Sequence, residues 1–470
     1  MDATLFIGIR KRIFSEAINH MEQHKKALIV GMAKSGVGAA KLLKNTGWDV
    51  IINDKKTEIA GLSEALSGVD VAWRLGEDPE ALFDGISLIV ISPIIPMTVP
   101  FVRAAQEQGI EVISEIELGY RYSHAEFVCI TGTNGKTTCT ALTGEIFKAG
   151  GRHTFVLGNI GVPITEHALE TREGDVVVAE TAGLQLEGNV HFHARAAGVC
   201  NITEDHLDHF GTMENYIAAK CKIFDHQTAE DIAVLNYDDA VVRDMARLTP
   251  ARVYYFSRKA EVPRGLFLRG DTVVYRDETG EYDLIRADEI KIPGGHNLEN
   301  AMLSSLLALG MGIAPDAVRE TLRSFPGVEH RIEFVREFEG VRYINDSKGT
   351  NPDSTIKAIQ AMTRPTVLIL GGYDKHSDFH ELFEHFRGSQ LKSIVVLGET
   401  KQKILDTARD TGYLGYCHAT ATFEDAVSCA RVLASSGDAV LLSPACASWD
   451  MFDNFEQRGR VFKKIVNRFE

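Results

Sequence analysis

The sequence predicts an α/β protein made of three doubly wound units. Three observations carry that prediction. The chain has 470 residues, too many for one ordinary hydrophobic core at about 150 residues per domain. Short apolar runs alternate with helical patterns along most of its length, as parallel sheets with crossover helices require. Two of those runs feed glycine-rich turns that open helices, at Gly31–Gly38 and at Thr131–Thr138.

Composition supports packed domains throughout. The chain is 44% hydrophobic and 24% charged, with 41 Gly but 13 Pro, which excludes disorder, collagen and coiled coil. Its net charge of -15 repels nucleic-acid phosphate and anionic membrane, so no nucleic-acid or membrane partner is expected. A phosphate-bearing ligand must then be held by local geometry. The seven cysteines form no C-x-x-C pair, which points to reduced thiols and a cytoplasmic location. No apolar run approaches the roughly 20 residues of a membrane span. The stretch Ala3–Ile9 precedes Arg10-Lys11-Arg12, the reverse of a secretory signal. Residues 1–24 therefore read as an appendage, with Met21 an alternative start. The sequence is silent on oligomeric state, and a monomer is expected.

The first unit, 1–115, is Rossmann-like. Its strand Ala27–Val30 runs into Gly31-Met32-Ala33-Lys34-Ser35-Gly36-Val37-Gly38 and then a helix; further strands span 49–52 and 87–91. Ala33 replaces the glycine that lets backbone meet a dinucleotide pyrophosphate, which makes a nicotinamide-dependent dehydrogenase the weakest reading. The helix start still suits a phosphorylated group, with Lys34, Ser35, Lys55 and Lys56 as candidate contacts and solvated surface lysines as an equal alternative.

The second unit, 116–327, is P-loop ATPase-like. Strand 127–130 feeds Thr131-Gly132-Thr133-Asn134-Gly135-Lys136-Thr137-Thr138, whose glycines let N–H groups face phosphate oxygens. Lys136 supplies a point charge there, and Thr137 offers a hydroxyl to Mg²⁺. Ile130 stands where the strict motif has its first glycine. Strands at 175–179 and 197–201 end in Glu180 and Glu204-Asp205-His206, groups that suit a hard cation beside phosphate. His191, His193, His206 and His209 lack the spacing of a zinc site. Spacing alone makes Lys220 a surface lysine. Strands at 232–235 and 253–256 follow, and 265–285 alternates as a small antiparallel addition. A helix is predicted over 298–309, where Asn297 and Asn300 stand one turn apart and could read a planar base edge; an N-cap by Asn297 is the simpler alternative.

The third unit, 328–470, is again Rossmann-like, with strands at 341–344, 366–370, 394–397 and 439–442 and a closing helix near 455–469. Polar clusters follow three of those strands: Asn345–Pro352, Gly371–Lys375 and Ser443–Asp450. Loops after parallel strands are where such sheets bind ligands.

The phosphate loop, Gly158-Asn159-Ile160-Gly161, Glu204-Asp205-His206-Leu207-Asp208, Ala218-Ala219-Lys220, Gly295-His296-Asn297 with Asn300, and His330-Arg331 occur in an order that resembles the Mur ligases from about residue 25 onward. Asn345-Asp346-Ser347-Lys348-Gly349-Thr350 and the Ser443–Glu456 stretch look like the branch of that family that adds D-glutamate. The resemblance implies an N-terminal uridine-nucleotide domain, a central ATPase and a C-terminal amino-acid domain. It implies that ATP phosphorylates the carboxylate of UDP-N-acetylmuramoyl-L-alanine, and that the D-glutamate amine attacks the acyl phosphate. Carried over, Gly132, Thr133, Asn134, Gly135, Lys136, Thr137, Thr138, Asn297, Asn300, Arg331 and Asp346 would hold ATP. Thr137, Glu180, His206 and Lys220 would serve Mg²⁺, with Lys220 taking up CO₂ as a carbamate. Lys136, His206 and Lys220 would be catalytic. Asn159 and Gln185 would touch the muramoyl substrate, while Lys348, Thr350, Lys375, Ser448 and Phe455 would form the amino-acid pocket.

The chain departs from the family pattern twice. Ala182-Gly183 stands where a serine pair is usual, and Ile94 stands where glycine usually follows Ser92-Pro93. These departures motivate a catalytically silent nucleotide-sensing relative as an alternative. A folylpolyglutamate-synthase-like ligase is another, against which the N-terminal glycine-turn unit argues.

Overall fold

The computed structural model describes residues 25–159, 161–205, 207–375 and 377–470. The expected appendage 1–24, Ile160 and His206 lie outside the described residues. Three sheets form. β1 (Lys26–Val30), β2 (Asp49–Asn53), β3 (Ala72–Trp73), β4 (Leu88–Ile91) and β5 (Glu111–Ser114) make a parallel sheet in the order β3-β2-β1-β4-β5. Both faces of β1 are buried, Ala27 and Ile29 in one cluster and Leu28 and Val30 in another, which explains its unbroken apolar run. The strand order reverses between β1 and β4, so the Gly31 and Ser92 turns share the carboxyl edge. A Cβ on Gly31, whose φ is 95°, would come within 2.5 Å of the Ser92 Cβ.

The central sheet contains β6 (Glu126–Thr131), β7 (Thr154–Gly158), β8 (Val176–Glu180), β9 (Ala196–Val199), β10 (Ile232–Asn236) and β11 (Arg252–Ser257), followed by β12 (Gly265–Arg269), β13 (Thr272–Asp277) and β14 (Gly280–Arg286). Its order is β14-β13-β12-β11-β10-β9-β6-β8-β7. The predicted antiparallel addition is thus an extension of the main sheet: β12 pairs parallel with β11, and β13 and β14 then continue antiparallel. Because β6 lies between β8 and β9, the ends of those strands flank the loop that follows β6. The helix predicted over 298–309 spans Gly295–Gly310.

The third sheet, β15 (Glu333–Phe338), β16 (Val341–Asn345), β17 (Thr366–Leu370), β18 (Leu391–Val396), β19 (Cys417–Ala419) and β20 (Ala439–Leu442), has the order β15-β16-β20-β17-β18-β19. All neighbours are parallel except β15 and β16. The loops after β16, β20 and β17 therefore emerge side by side. No helix among the described residues is long and apolar enough to cross a membrane.

The chain forms two compact units. One comprises the described residues through Ala287 with Glu299–Thr321; the other comprises Asp288–Leu298 with Leu322–Glu470. Inside the first, helix Glu115–Tyr122 fastens the N-terminal sheet to the central one. The Glu117 carboxylate is fully buried and accepts from the N–H groups of Val190, His191 and Phe192 at 2.8–3.1 Å and from Arg121 Nε at 2.7 Å. Arg121 also holds Glu111 through both of its terminal nitrogens. Glu115 accepts from the N–H and hydroxyl of Thr165, each at 2.8 Å, and burial pushes its carboxyl above the usual range.

Candidate active site

The strongest sequence motif becomes a rigid loop. Gly132 (φ 139°) and Gly135 (φ 89°) adopt conformations that suit glycine, and helix Lys136–Ala149 starts directly after them. A Cβ on Gly135 would overlap the Asn300 side-chain oxygen, so Asn300 lies against the loop. Asn201, just past β9, pins it from below: its Oδ1 accepts from Asn134 N–H at 2.9 Å, its Nδ2 donates to Asn134 O at 3.0 Å, and its own carbonyl accepts from Thr133 N–H at 2.8 Å. Sequence reasoning missed Asn201, because its partners are backbone groups 67 residues away.

Lys136 Nζ donates to the carbonyls of Gly132 and Thr133 at 3.0 and 2.8 Å. Lys220, from helix Met213–Cys221, donates to the same Gly132 carbonyl at 2.9 Å and sits 4.5 Å from the Tyr216 ring centre. Lys220 is 2% exposed, which overturns the surface lysine that spacing suggested. Burial, with Lys136 beside it, lowers its pKa to about 7, against the opposite pull of Asp205, Cys200 and Glu180. Tyr216, also missed, joins the cluster by its hydroxyl, 3.0 Å from Thr133 Oγ1.

Glu180 ends β8 at 2% exposure. Its Oε1 accepts from Asn159 Nδ2 at 3.0 Å, while its Oε2 is buried without a hydrogen-bond partner. A carboxylate oxygen so placed beside a phosphate loop fits a hard cation, with Thr137 at the helix start as a second oxygen donor. His193 and His209 pair with different carboxylates, Asp231 at 2.8 Å and Glu187 at 3.0 Å, consistent with the absence of zinc spacing. Gln185 is buried and its Oε1 accepts from Ala182 N–H at 3.0 Å, closing the turn where the family's serine is missing.

At the N-terminal sheet, helix Lys34–Asn45 has no side-chain cap and no acidic residue in its first turn. Asp54 accepts from Met32 N–H at 2.9 Å and Lys56 N–H at 3.0 Å, holding the turn while Lys55 and Lys56 remain exposed and Ser35 half-buried. Ile94 is 74% exposed, so its side chain does not fill the crevice between the Gly31 and Ser92 turns.

The second unit gathers the remaining candidates. Asp346 follows β16, accepts from Ser443 Oγ at 2.7 Å and Ile332 N–H at 3.2 Å, and burial pushes it up to about 6 despite nearby Arg331. Arg331 lies between two residues in left-handed backbone, His330 (φ 66°) and Ile332 (φ 45°), and its Nε is buried without a partner. Such strain marks sites that the surrounding structure over-determines. Lys348 Nζ lies 5.4 Å from the Phe455 ring centre. Thr350 is half-buried, Ser448 is buried in the loop after β20, and Lys375 is exposed in the loop after β17. Asn297 donates to the Pro293 carbonyl at 2.7 Å, at the start of its helix.

A glycine-rich loop at a helix start, flanked by a buried carboxylate and a buried lysine, is an arrangement suited to nucleotide phosphates and a hard cation, the class of an ATP-driven enzyme. The chain belongs to the Mur ligase family. Residues 25–114 match the Mur ligase MurD-like N-terminal domain, 130–308 the Mur ligase middle domain and 330–446 the Mur ligase glutamate ligase domain. It is 45% identical over 449 residues to the UDP-N-acetylmuramoylalanine–D-glutamate ligase of Alkaliphilus metalliredigens, covering 95% of this chain and 98% of that protein. To the protein of the same name from Clostridioides difficile it is 44% identical over 450 residues, covering 95% and 99%. Among solved structures, MurC of Thermotoga maritima shares the three-domain fold at a TM-score of 0.60 and 18% identity, covering 94% of this chain and 99% of that one. MurF of Acinetobacter baumannii does so at 0.59 and 15%, covering 95% and 92%.

Proposed function

We propose that this chain is an ATP-dependent ligase that joins D-glutamate to UDP-N-acetylmuramoyl-L-alanine in the cytoplasm, for peptidoglycan synthesis. The single observation that carries the mechanism is the meeting of Lys136, Lys220 and Glu180 at one glycine-rich loop. The proposed domain limits are 1–115 for the uridine nucleotide, 116–327 for ATP and 328–470 for the amino acid.

The chemical problem is the approach of several anions. Asn201 takes the N–H groups of Thr133 and Asn134 and so fixes the loop, while the helix start at Lys136–Thr138 and the Lys136 ammonium hold the ATP phosphates and Asn300 supports the loop at Gly135. Asn297, Arg331 and Asp346 complete the nucleotide contacts. Thr137 and Glu180 supply the oxygen donors for Mg²⁺, and His206 is assigned there from its place in the motif. Bound Mg²⁺ would neutralise charge on the phosphate oxygens. With its pKa lowered to about 7, a large fraction of Lys220 is the neutral amine near neutral pH, and its nitrogen can add to CO₂ and release a proton to solvent to give a carbamate. That turns a buried amine donor into an anionic acceptor beside the cation site.

Ser35, Lys55, Lys56, Asn159 and Gln185 hold the nucleotide-sugar so that an alanyl carboxylate oxygen attacks the γ-phosphorus and ADP leaves. Lys348, Thr350, Lys375, Ser448 and Phe455 present D-glutamate, whose amine attacks the acyl carbon. The tetrahedral adduct then loses the extra proton on nitrogen to solvent, expels phosphate and leaves the amide. Coupled ADP release tests the assignment: turnover must require UDP-N-acetylmuramoyl-L-alanine and D-glutamate together, and L-glutamate or lysine must not replace the latter. ATP hydrolysis indifferent to either substrate would refute it.

A further inference from the structure

Arg458 stands in the first turn of helix Phe455–Asn467 and is 1% exposed. Among the described residues no carboxylate accepts a hydrogen bond from it. Its Nε donates to Ser347 Oγ at 3.0 Å. Nη2 donates to the carbonyls of Ser347 at 2.8 Å and Cys446 at 3.1 Å, and Nη1 to those of Cys446 at 3.1 Å and Ala447 at 3.2 Å. These bonds use every N–H of the guanidinium.

The partners are the chain neighbours of the proposed amino-acid pocket. Ser347 precedes Lys348, and its hydroxyl donates onward to the Phe455 carbonyl at 2.8 Å. Ala447 precedes Ser448, and its carbonyl also accepts from Tyr373 N–H at 3.0 Å, two residues before Lys375. A Cβ on Gly372 would stand 3.3 Å from Arg458 Nη1. One side chain thus clasps the loops after β16 and β20 directly and reaches the loop after β17 through Ala447. The clasped loop after β20 also holds Ala445 in left-handed backbone, φ 55°.

A neutral donor set could tie these carbonyls together. Asp450 and Asp346 act on this charge through space without bonding it, and a buried charge held without a direct ion pair is costly, which points to a role that only charge fills. D-glutamate brings two carboxylates to these loops.

We propose that Arg458 is the positioning residue of the amino-acid pocket: its fork sets the three loops, and its unpaired charge favours a dicarboxylic over a monocarboxylic amino acid. This rests on the assignment of the pocket made above. With every N–H given to these loops, Arg458 acts through Lys348, Ser448 and Phe455.

The test compares wild type with Arg458→Lys and Arg458→Met, measuring KM for D-glutamate, ATP and the nucleotide-sugar, inhibition by D-glutamine, and thermal unfolding. Both variants should raise the D-glutamate KM by about tenfold or more, the effect of losing one or two charge-assisted bonds, with the ATP KM within about twofold. Arg458→Lys keeps the charge and should keep the preference for D-glutamate over D-glutamine; Arg458→Met should lose it by about tenfold. Added methylguanidinium should lower the D-glutamate KM of a folded Arg458→Ala variant. The proposal is overturned if a folded variant leaves the D-glutamate KM unchanged, if all three KM values rise together, or if Lys and Met erase the preference equally. If Arg458→Met does not fold, the lysine variant and the methylguanidinium arm decide by the same criteria. Wild-type protein without D-glutamate-dependent ADP release would instead refute the pocket assignment.

Discussion

Replacing Lys220 by methionine should abolish turnover and at the same time stabilise the protein at neutral pH. Unfolding restores the ordinary lysine value of 10.5, whereas the folded environment holds Lys220 at about 7. The unfolded chain therefore binds the extra proton more tightly. The cost to the folded state is full below pH 7, shrinks as pH rises and is gone above about 10.5. At pH 7 that shift amounts to about 4 kcal/mol. Loss of the bond to the Gly132 carbonyl returns about 1 kcal/mol, so Lys220→Met should gain about 3 kcal/mol at pH 7 and nothing by about pH 10. Urea unfolding of both proteins across that range, in CO₂-depleted buffer, measures the difference directly. In labelled bicarbonate, wild type alone should show a carbamate carbon signal by ¹³C NMR. A variant less stable than wild type at pH 7, or a gap that does not close with pH, would refute a neutral buried amine; a missing carbamate signal would refute its use.

Glu117→Ala should cost about 3 kcal/mol in urea unfolding, because it removes the acceptor of three N–H groups, that of Phe192 buried, and of Arg121 Nε, while Arg121 keeps Glu111. Gly135→Ala forces a Cβ into Asn300 at φ 89°, and kcat/KM for ATP should fall by about 100-fold with the far-ultraviolet spectrum unchanged. Asn201→Ala removes two bonds to the loop and should raise the ATP KM by about tenfold in steady-state assays. Glu180→Gln should cut kcat by about 100-fold or more and raise the Mg²⁺ concentration needed for half-maximal rate.

Legibility in the sequence followed locality. β1, β6 and β8 are apolar on both faces and showed as unbroken runs, and the phosphate loop is a contiguous motif after one of them. β3, with two exposed residues, and β19, with three residues, leave no periodic trace. β15 is an edge strand that leaves Phe334 60% exposed, so its alternation marked no buried face. In the site, Lys220 was invisible as a buried group because its surroundings include Gly132, 88 residues away. Glu117, Asn201 and Arg458 share that history: each is polar, each bonds backbone far off in the chain, and no spacing rule announces such a partner. The family resemblance supplied roles for Lys220 and Glu180, and the structure adds why their chemistry differs from that of surface groups.

Phosphorylation of the alanyl carboxylate must precede formation of the peptide bond. Nucleotide-sugar labelled with ¹⁸O in that carboxylate, turned over with ATP and D-glutamate, tests it directly by mass spectrometry of the released phosphate. One ¹⁸O should move into phosphate for each amide formed; unlabelled phosphate alongside amide product would contradict an acyl-phosphate intermediate.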